Sequence, residues 1–117
     1  MDAISAISAL SALAQESRLE AFRRLVRRGP EGMAAGDIAR TLGVPHNTMS
    51  AHLAILANAG LVTSRRSGRS IIYAVDFGGV RDLLAFLMED CCRGKREDCA
   101  LLIARVLPQC CAEEGRP

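Results

Sequence analysis

The sequence predicts a mainly α-helical domain with one β-hairpin, and three observations carry that prediction. Half of the 117 residues are hydrophobic while only 3% are aromatic and none is Trp, so the apolar material is Ala, Leu, Ile and Val, which suits helices packed on helices. Apolar residues recur at three- and four-residue spacing as far as Ala57, then switch to alternation between Leu61 and Val75. A length of 117 residues fits one folded domain and excludes a two-domain enzyme.

The first helix covers Ala3 to Ala14, where Ile4, Ile7, Leu10 and Leu13 form a stripe that Ala3, Ala6 and Ala14 widen. Its other face is mostly Ser and Ala, so it has little reason to face water, and packing within the chain or against a second copy are both open. A second helix runs from Ser17 as N-cap to Arg28, with Leu19, Phe22, Leu25 and Val26 inward and Arg18, Arg23, Arg24, Arg27 and Arg28 largely outward. Gly29-Pro30 ends it. Met33, Ile38, Ala39 and Leu42 support a short third helix that begins near Gly36-Asp37 and stops at Gly43. Pro45 resets the backbone, and Met49, Leu53, Leu56 and Ala57 mark a fourth helix from His46 to Asn58. Two helices joined by a short turn containing Gly make a helix-turn-helix.

Leu61 to Ser64 and Ile71 to Val75 then read as a hairpin turning at Ser67-Gly68. A later helix starts at Gly79 or Val80, reaches about Asp90 and turns Val80, Leu83, Leu84 and Leu87 inward, before Gly94 breaks it. A last helical stretch, Ala100 to Leu107, is stopped by Pro108. Helices followed by a hairpin give the layout of a winged helix-turn-helix. The chain divides into a helix-turn-helix and dimerisation domain, residues 1–90, and a cysteine-rich segment, residues 91–117.

Fifteen Lys and Arg against thirteen Asp and Glu leave a formal charge of only +2, so distribution must carry any argument for nucleic acid. Fourteen of the fifteen cations are Arg, whose rigid fork suits phosphate and base edges. No Lys or Arg lies between Pro45 and Leu61, which leaves His46, Asn47, Thr48, Ser50 and His52 as the polar groups that could meet base edges and sugar-phosphate. Electrostatic grip falls to Arg65, Arg66 and Arg69 of the hairpin and to arginines of the second helix. Taken singly, each of these residues is better explained as a surface or satisfied histidine or as part of a solvated turn; together they point to double-stranded DNA. No apolar run approaches the roughly 20 residues that span a bilayer and no signal peptide is evident, so the expectation is a cytoplasmic chain with reduced thiols and no membrane partner.

Ser17-Arg18-Leu19-Glu20-Ala21-Phe22, Asp37-Ile38-Ala39-Arg40-Thr41-Leu42-Gly43 and the run from Ser50 to Val62 resemble the ArsR/SmtB family of metal-responsive repressors over about residues 5–90. The most specific piece is the serine, His-Leu, Leu and Ala-Gly-Leu-Val series at Ser50, His52-Leu53, Leu56 and Ala59-Gly60-Leu61-Val62. The resemblance implies a homodimer on a pseudo-palindromic operator that represses transcription until an inducer binds. It also implies a dimer interface built from the first and the late helices.

All five cysteines, Cys91, Cys92, Cys99, Cys110 and Cys111, fall in the last 27 residues. Core cysteines would scatter, whereas a ligand set must be confined, and soft thiolates without His or carboxylate partners favour a thiophilic ion over Ca²⁺ or Mg²⁺. Zn²⁺ or Cd²⁺ would use Cys₃ or Cys₄, but no C-x₂-C pair is present. Trivalent arsenic needs only three thiolates in a pyramid. On one continuous helix Cys92 and Cys99 would stand about 10 Å apart, so the break at Arg93-Gly94-Lys95-Arg96 is needed to bring Cys99 back to Cys91 and Cys92.

The stretch Cys91 to Ala100 is similar to a variant of the family's arsenic site, which implies As(III), with Sb(III) beside it, as the inducer and no permanently bound cofactor. Cys110 and Cys111 depart from that pattern and stand as spare ligands, as replacements for Cys99 in a site for methylated trivalent arsenicals, or as inert thiols. A redox switch is the rival, with thiol pKa values lowered by Arg93, Lys95 and Arg96. An enzyme is disfavoured: there is no C-x-x-C, no Cys-His pair at short range and no phosphate-cradling glycine loop. A winged helix that binds only protein would show no salt-dependent affinity for DNA.

Overall fold

In the computed structural model, which describes residues 1–89 and Arg105, the first unit of the chain spans Met1–Phe86. Helices α1 (Ala3–Leu13) and α2 (Glu16–Arg28) lead through a 3₁₀ turn, Gly29–Glu31, into a two-residue strand β1 (Met33–Ala34). Helices α3 (Ala35–Leu42) and α4 (His46–Asn58) follow, then strands β2 (Val62–Ser67) and β3 (Ser70–Val75) and helix α5 (Phe77–Leu87). The strands form an antiparallel sheet in the order β1-β3-β2, with Val62 opposite Val75, Ser67 opposite Ser70 and Met33 opposite Tyr73. The expected hairpin therefore carries a third strand. Met33, assigned from sequence to α3, instead belongs to β1, because two residues are too few to show an alternating pattern.

Local chemistry sets the ends of the elements. The Asp2 carboxylate accepts from the Ser5 amide at 2.8 Å and starts α1, and that hydrogen bond holds its carboxyl below the usual range. Helix α2 begins two residues earlier than Ser17 as cap would place it, because Gln15 is the cap and its Oε1 accepts from the Arg18 amide at 2.8 Å. Between α3 and α4, Gly43 adopts a left-handed φ of 68°, and the Val44 amide reaches back to the Ala39 carbonyl at 3.0 Å. The Asp76 carboxylate accepts from the Gly79 amide at 3.0 Å and starts α5 at Phe77, ahead of the expected Gly79 or Val80.

Leu25, Ile38, Met49, Leu53, Leu56 and Leu61 are fully buried and form the centre of the core. The inward faces expected of α2 and α5 are corrected, and the packing of α1, left open by the sequence, is decided. On α1 the alanines Ala6, Ala9 and Ala12 are buried while Ile4 is 80% and Ile7 65% exposed. Hydropathy ranks Ile above Ala, but a small side chain lets α1 lie close on its neighbours. On α5 Leu83 is buried and Val80 packs against the core, whereas Leu84 is 55% exposed and Leu87 is exposed too. On α2, Ala21 and Leu25 are buried while Leu19 and Val26 are exposed. Among the described residues no helix is long and apolar enough to cross a membrane.

Gly79 is fixed by packing: a Cβ there would collide with the carbonyl oxygen of Gly60, where α4 has ended and β2 is about to begin. Intrinsic propensity alone would make Gly79→Ala stabilising by about 0.5–1 kcal/mol in a helix. The collision reverses the sign, and the variant is expected to lose about 1–3 kcal/mol of unfolding free energy in urea denaturation.

Candidate nucleic-acid interface

Helix α4 is held by one face and free on the other. Met49, Leu53 and Leu56, spaced four and three apart, are completely buried, which turns His46, Asn47 and Thr48 of the first turn to solvent. Ser50 is half-buried. No side chain caps the first turn, so its leading backbone N–H groups remain without intrahelical partners, a setting that favours an anion.

The hairpin places Arg66 opposite Ile71 and puts Gly68-Arg69 at its two-residue turn. Arg65, Arg66 and Arg69 are all exposed, but Arg65 is tied back: its guanidinium donates to the Glu31 carbonyl at 3.0 Å. That bond joins the wing to the 3₁₀ turn, whereas Arg66 and Arg69 have no side-chain partner among the described residues.

Helices and wing meet around an open cleft of about 360 Å³, whose lining includes His46, Ser50, Arg69, Arg40, Asp37 and Tyr73. The cleft thus brings together His46, Ser50 and Arg69 from the expected set and adds Arg40, which pairs with Asp37 on the surface of α3. Arg40 was legible as a cation on an amphipathic helix, but only the folding of β3 beside α3 makes it a neighbour of the wing. Tyr73, on β3 opposite Met33, also enters the lining.

His52 is placed differently from the first-turn residues. It is half-buried on the side of α4 that meets α2, with Nδ1 3.2 Å from the guanidinium of Arg18. Arg18, expected largely outward, is itself partly buried and donates from Nε to the Ala12 carbonyl at 2.6 Å.

The thiol set Cys91, Cys92, Cys99, Cys110 and Cys111 lies outside the described residues, as does the helical stretch expected from Ala100 to Leu107, apart from Arg105. Among the described residues no group of three His, Cys, Asp or Glu side chains is arranged to hold a metal ion.

Comparison with known proteins agrees with this architecture. Residues 13–65 match the helix-turn-helix domain family. The HTH-type transcriptional regulator NmtR of Mycobacterium tuberculosis is 40% identical over 77 residues, which cover 66% of this chain and 62% of that protein, so the match spans less than two thirds of NmtR. The homodimeric winged helix-turn-helix DNA-binding domain of a possible ArsR-family transcriptional regulator from Mycobacterium bovis superposes with a TM-score of 0.60 at 30% identity, covering 72% of this chain and 75% of that one. A possible transcriptional regulator for arsenical resistance superposes with a TM-score of 0.56 at 32% identity, covering 68% of this chain and 80% of that one.

The exposed Asp37–Arg40 pair contributes little to folding and partly neutralises the cleft. Asp37→Asn is therefore expected to change unfolding free energy by less than about 0.5 kcal/mol. The same substitution should move elution from a heparin column to higher salt.

Proposed function

From the premise that the chain belongs to the ArsR family of winged helix-turn-helix transcriptional regulators, we propose that it is a homodimeric repressor of an arsenic-resistance operon, released from its operator by trivalent arsenic. The observation that carries the DNA half is the cleft in which the exposed first turn of α4 and the wing cation Arg69 face one open space. In this reading α4 enters the major groove, where His46, Asn47, Thr48 and Ser50 meet base edges or sugar-phosphate. Arg66 and Arg69 engage phosphates along the backbone and release counterions. His52, half-buried with Nδ1 against Arg18, is less available than the exposed His46, Asn47 and Thr48.

A second copy of the chain would cover the apolar residues that the fold leaves uncovered. Ile4 and Ile7 on α1, with Phe77 and Leu84 on α5, are exposed, and Met1 and Ser5 share a cleft with Gly78, Gly79 and Asp82, so the two helices begin side by side. A two-fold dimer built on them would carry two copies of α4 to successive half-sites of a pseudo-palindromic operator.

The inducer half rests on the sequence. Cys91, Cys92 and Cys99 are the proposed ligands, with Cys110 and Cys111 in reserve, on a segment that follows the DNA-binding and dimerisation domain of residues 1–90. Arsenous acid exchanges its three hydroxyls for three thiols, each exchange releasing one water with no change in oxidation state. The same thiols would accept Sb(III). The ion and DNA then act on one conformational equilibrium, so binding of the first weakens binding of the second.

Arg66→Ala and Arg69→Ala are each expected to lower the slope of log affinity against log salt by about 0.9, measured by fluorescence anisotropy on operator duplex. Ile7→Glu should convert the dimer to monomer in sedimentation velocity and weaken operator binding by at least about tenfold, since one half-site then binds alone. In gel-shift titrations of fully reduced protein, arsenite is expected to dissociate the complex, and Cys91→Ser, Cys92→Ser and Cys99→Ser each to abolish that response. Loss of response in Cys110→Ser or Cys111→Ser but not in Cys99→Ser would move the site, and an intact complex at saturating arsenite would overturn the inducer assignment.

A further inference from the structure

The guanidinium of Arg18 joins three helices at once. Its Nε donates to the Ala12 carbonyl at 2.6 Å, one of the last carbonyls of α1 and so without an intrahelical partner. A terminal nitrogen of the same guanidinium lies 3.2 Å from Nδ1 of His52 on α4. The backbone amide of Arg18 is held by Gln15 Oε1 at 2.8 Å, which fixes the side chain at the first turn of α2. One rigid, planar group thus connects the end of the helix with the exposed isoleucines to the helix that faces the cleft.

The direction of that hydrogen bond follows from its partner. Arginine has five donors and no acceptor, so a hydrogen bond between the two groups needs Nδ1 of His52 as acceptor, the role it has in the Nε2–H tautomer. Arginine suits this junction better than lysine, whose single nitrogen lacks a fork able to span two fixed acceptors. The junction borders an open groove of about 230 Å³ lined by Ser8, Ser11, Arg18, Ile55 and Asn58, so the link is reached by water rather than sealed in the core.

We propose that Arg18 is a positioning residue for operator recognition: through His52 Nδ1 it sets α4 relative to α1, and it touches no phosphate itself. This inference rests on the reading of α4 as the DNA-contacting helix. It assigns His52 to the inside of the protein, as the receiver of that link rather than a reader of bases.

The experiment measures operator affinity against salt for the full-length wild-type chain, Arg18→Gln, His52→Leu and the double variant, together with the ¹⁵N chemical shifts of His52 in the free proteins. The expected result is a loss of roughly 5- to 10-fold for Arg18→Gln with a salt line parallel to wild type, since coupling through a network without ligand contact is of that order. The double variant should lose no more than the weaker-binding single variant, because both singles break one link. The His52 signals should report the Nε2–H neutral form in wild type and a mixture of tautomers in Arg18→Gln.

A salt slope reduced by about 0.9 in Arg18→Gln would make Arg18 a phosphate ligand and overturn the proposal. Additive losses in the double variant, or a His52 ring protonated on Nδ1 in wild type, would overturn it as well. A wild-type chain without salt-dependent affinity for duplex DNA would sink the DNA reading instead, an outcome separable from the others because the ¹⁵N shifts are read without DNA.

Discussion

The burial of one face of α4 is the constraint on which the rest depends. Met49, Leu53 and Leu56 are all completely excluded from solvent, and they share a core with Leu25 of α2 and Ile38 of α3. Each such side chain contributes about 1.5–3 kcal/mol by leaving water. Because three anchors at spacings of four and three define a single helical face, the rotation of α4 about its axis has no freedom left. The polar first turn is exposed for the same reason that the apolar face is buried. An exposed recognition surface on a helix is stable only when the opposite surface is held this firmly.

Helix α1 solves a different problem, since it carries two apolar faces. Its alanines give a smooth, narrow contact to the helices beneath, and its isoleucines are left over. The same division recurs on α5, where Leu83 goes inward and Phe77 and Leu84 do not. Large apolar side chains left exposed on two helices whose first turns share a cleft are material for an interface. Dimer formation in this reading is not an addition to the fold but the completion of its burial. The close approach of Gly79 to Gly60 places the start of α5 against the exit of α4, with no room for a side chain between them.

The wing arginines also divide in two. Arg65 fastens the strand to the 3₁₀ turn through the Glu31 carbonyl, and Arg66 and Arg69 make no such bond among the described residues. A cation that is already hydrogen-bonded to backbone can still neutralise phosphate, but it does so from a fixed place. Arg40 is restrained on α3 by Asp37 in a similar manner. With Arg40 paired to Asp37, Arg69 is the cation left to set the field of the cleft, so the placement of charge matters there more than the chain's total of +2.

The periodicity of the sequence determined α4 to the residue, His46 to Asn58, and the helix-turn-helix with its left-handed Gly43, because those signals are local: spacing of apolar residues, a turn glycine and a proline. It determined that a hairpin follows, but not its bounds: the first strand runs from Val62 to Ser67 rather than from Leu61 to Ser64, and the turn is Gly68-Arg69 rather than Ser67-Gly68, because pairing with β3 extends the polar end of the strand. The clustering of five thiols after residue 90 is a fact of sequence alone. What it could not decide was which of two apolar stripes on α1 turns inward, since hydropathy favours the isoleucines and close helix packing favours the alanines. Nor could it reveal strand β1, the two-residue piece that pairs with β3 from 38 positions away or more in the chain, at Ala34 and Ile72. The separation of the histidines was equally hidden. His46 and His52 stand six residues apart on one helix, yet one borders the cleft and the other meets Arg18, thirty-four residues earlier. Contacts between distant segments depend on how the elements pack in three dimensions, and no local pattern of residues encodes that.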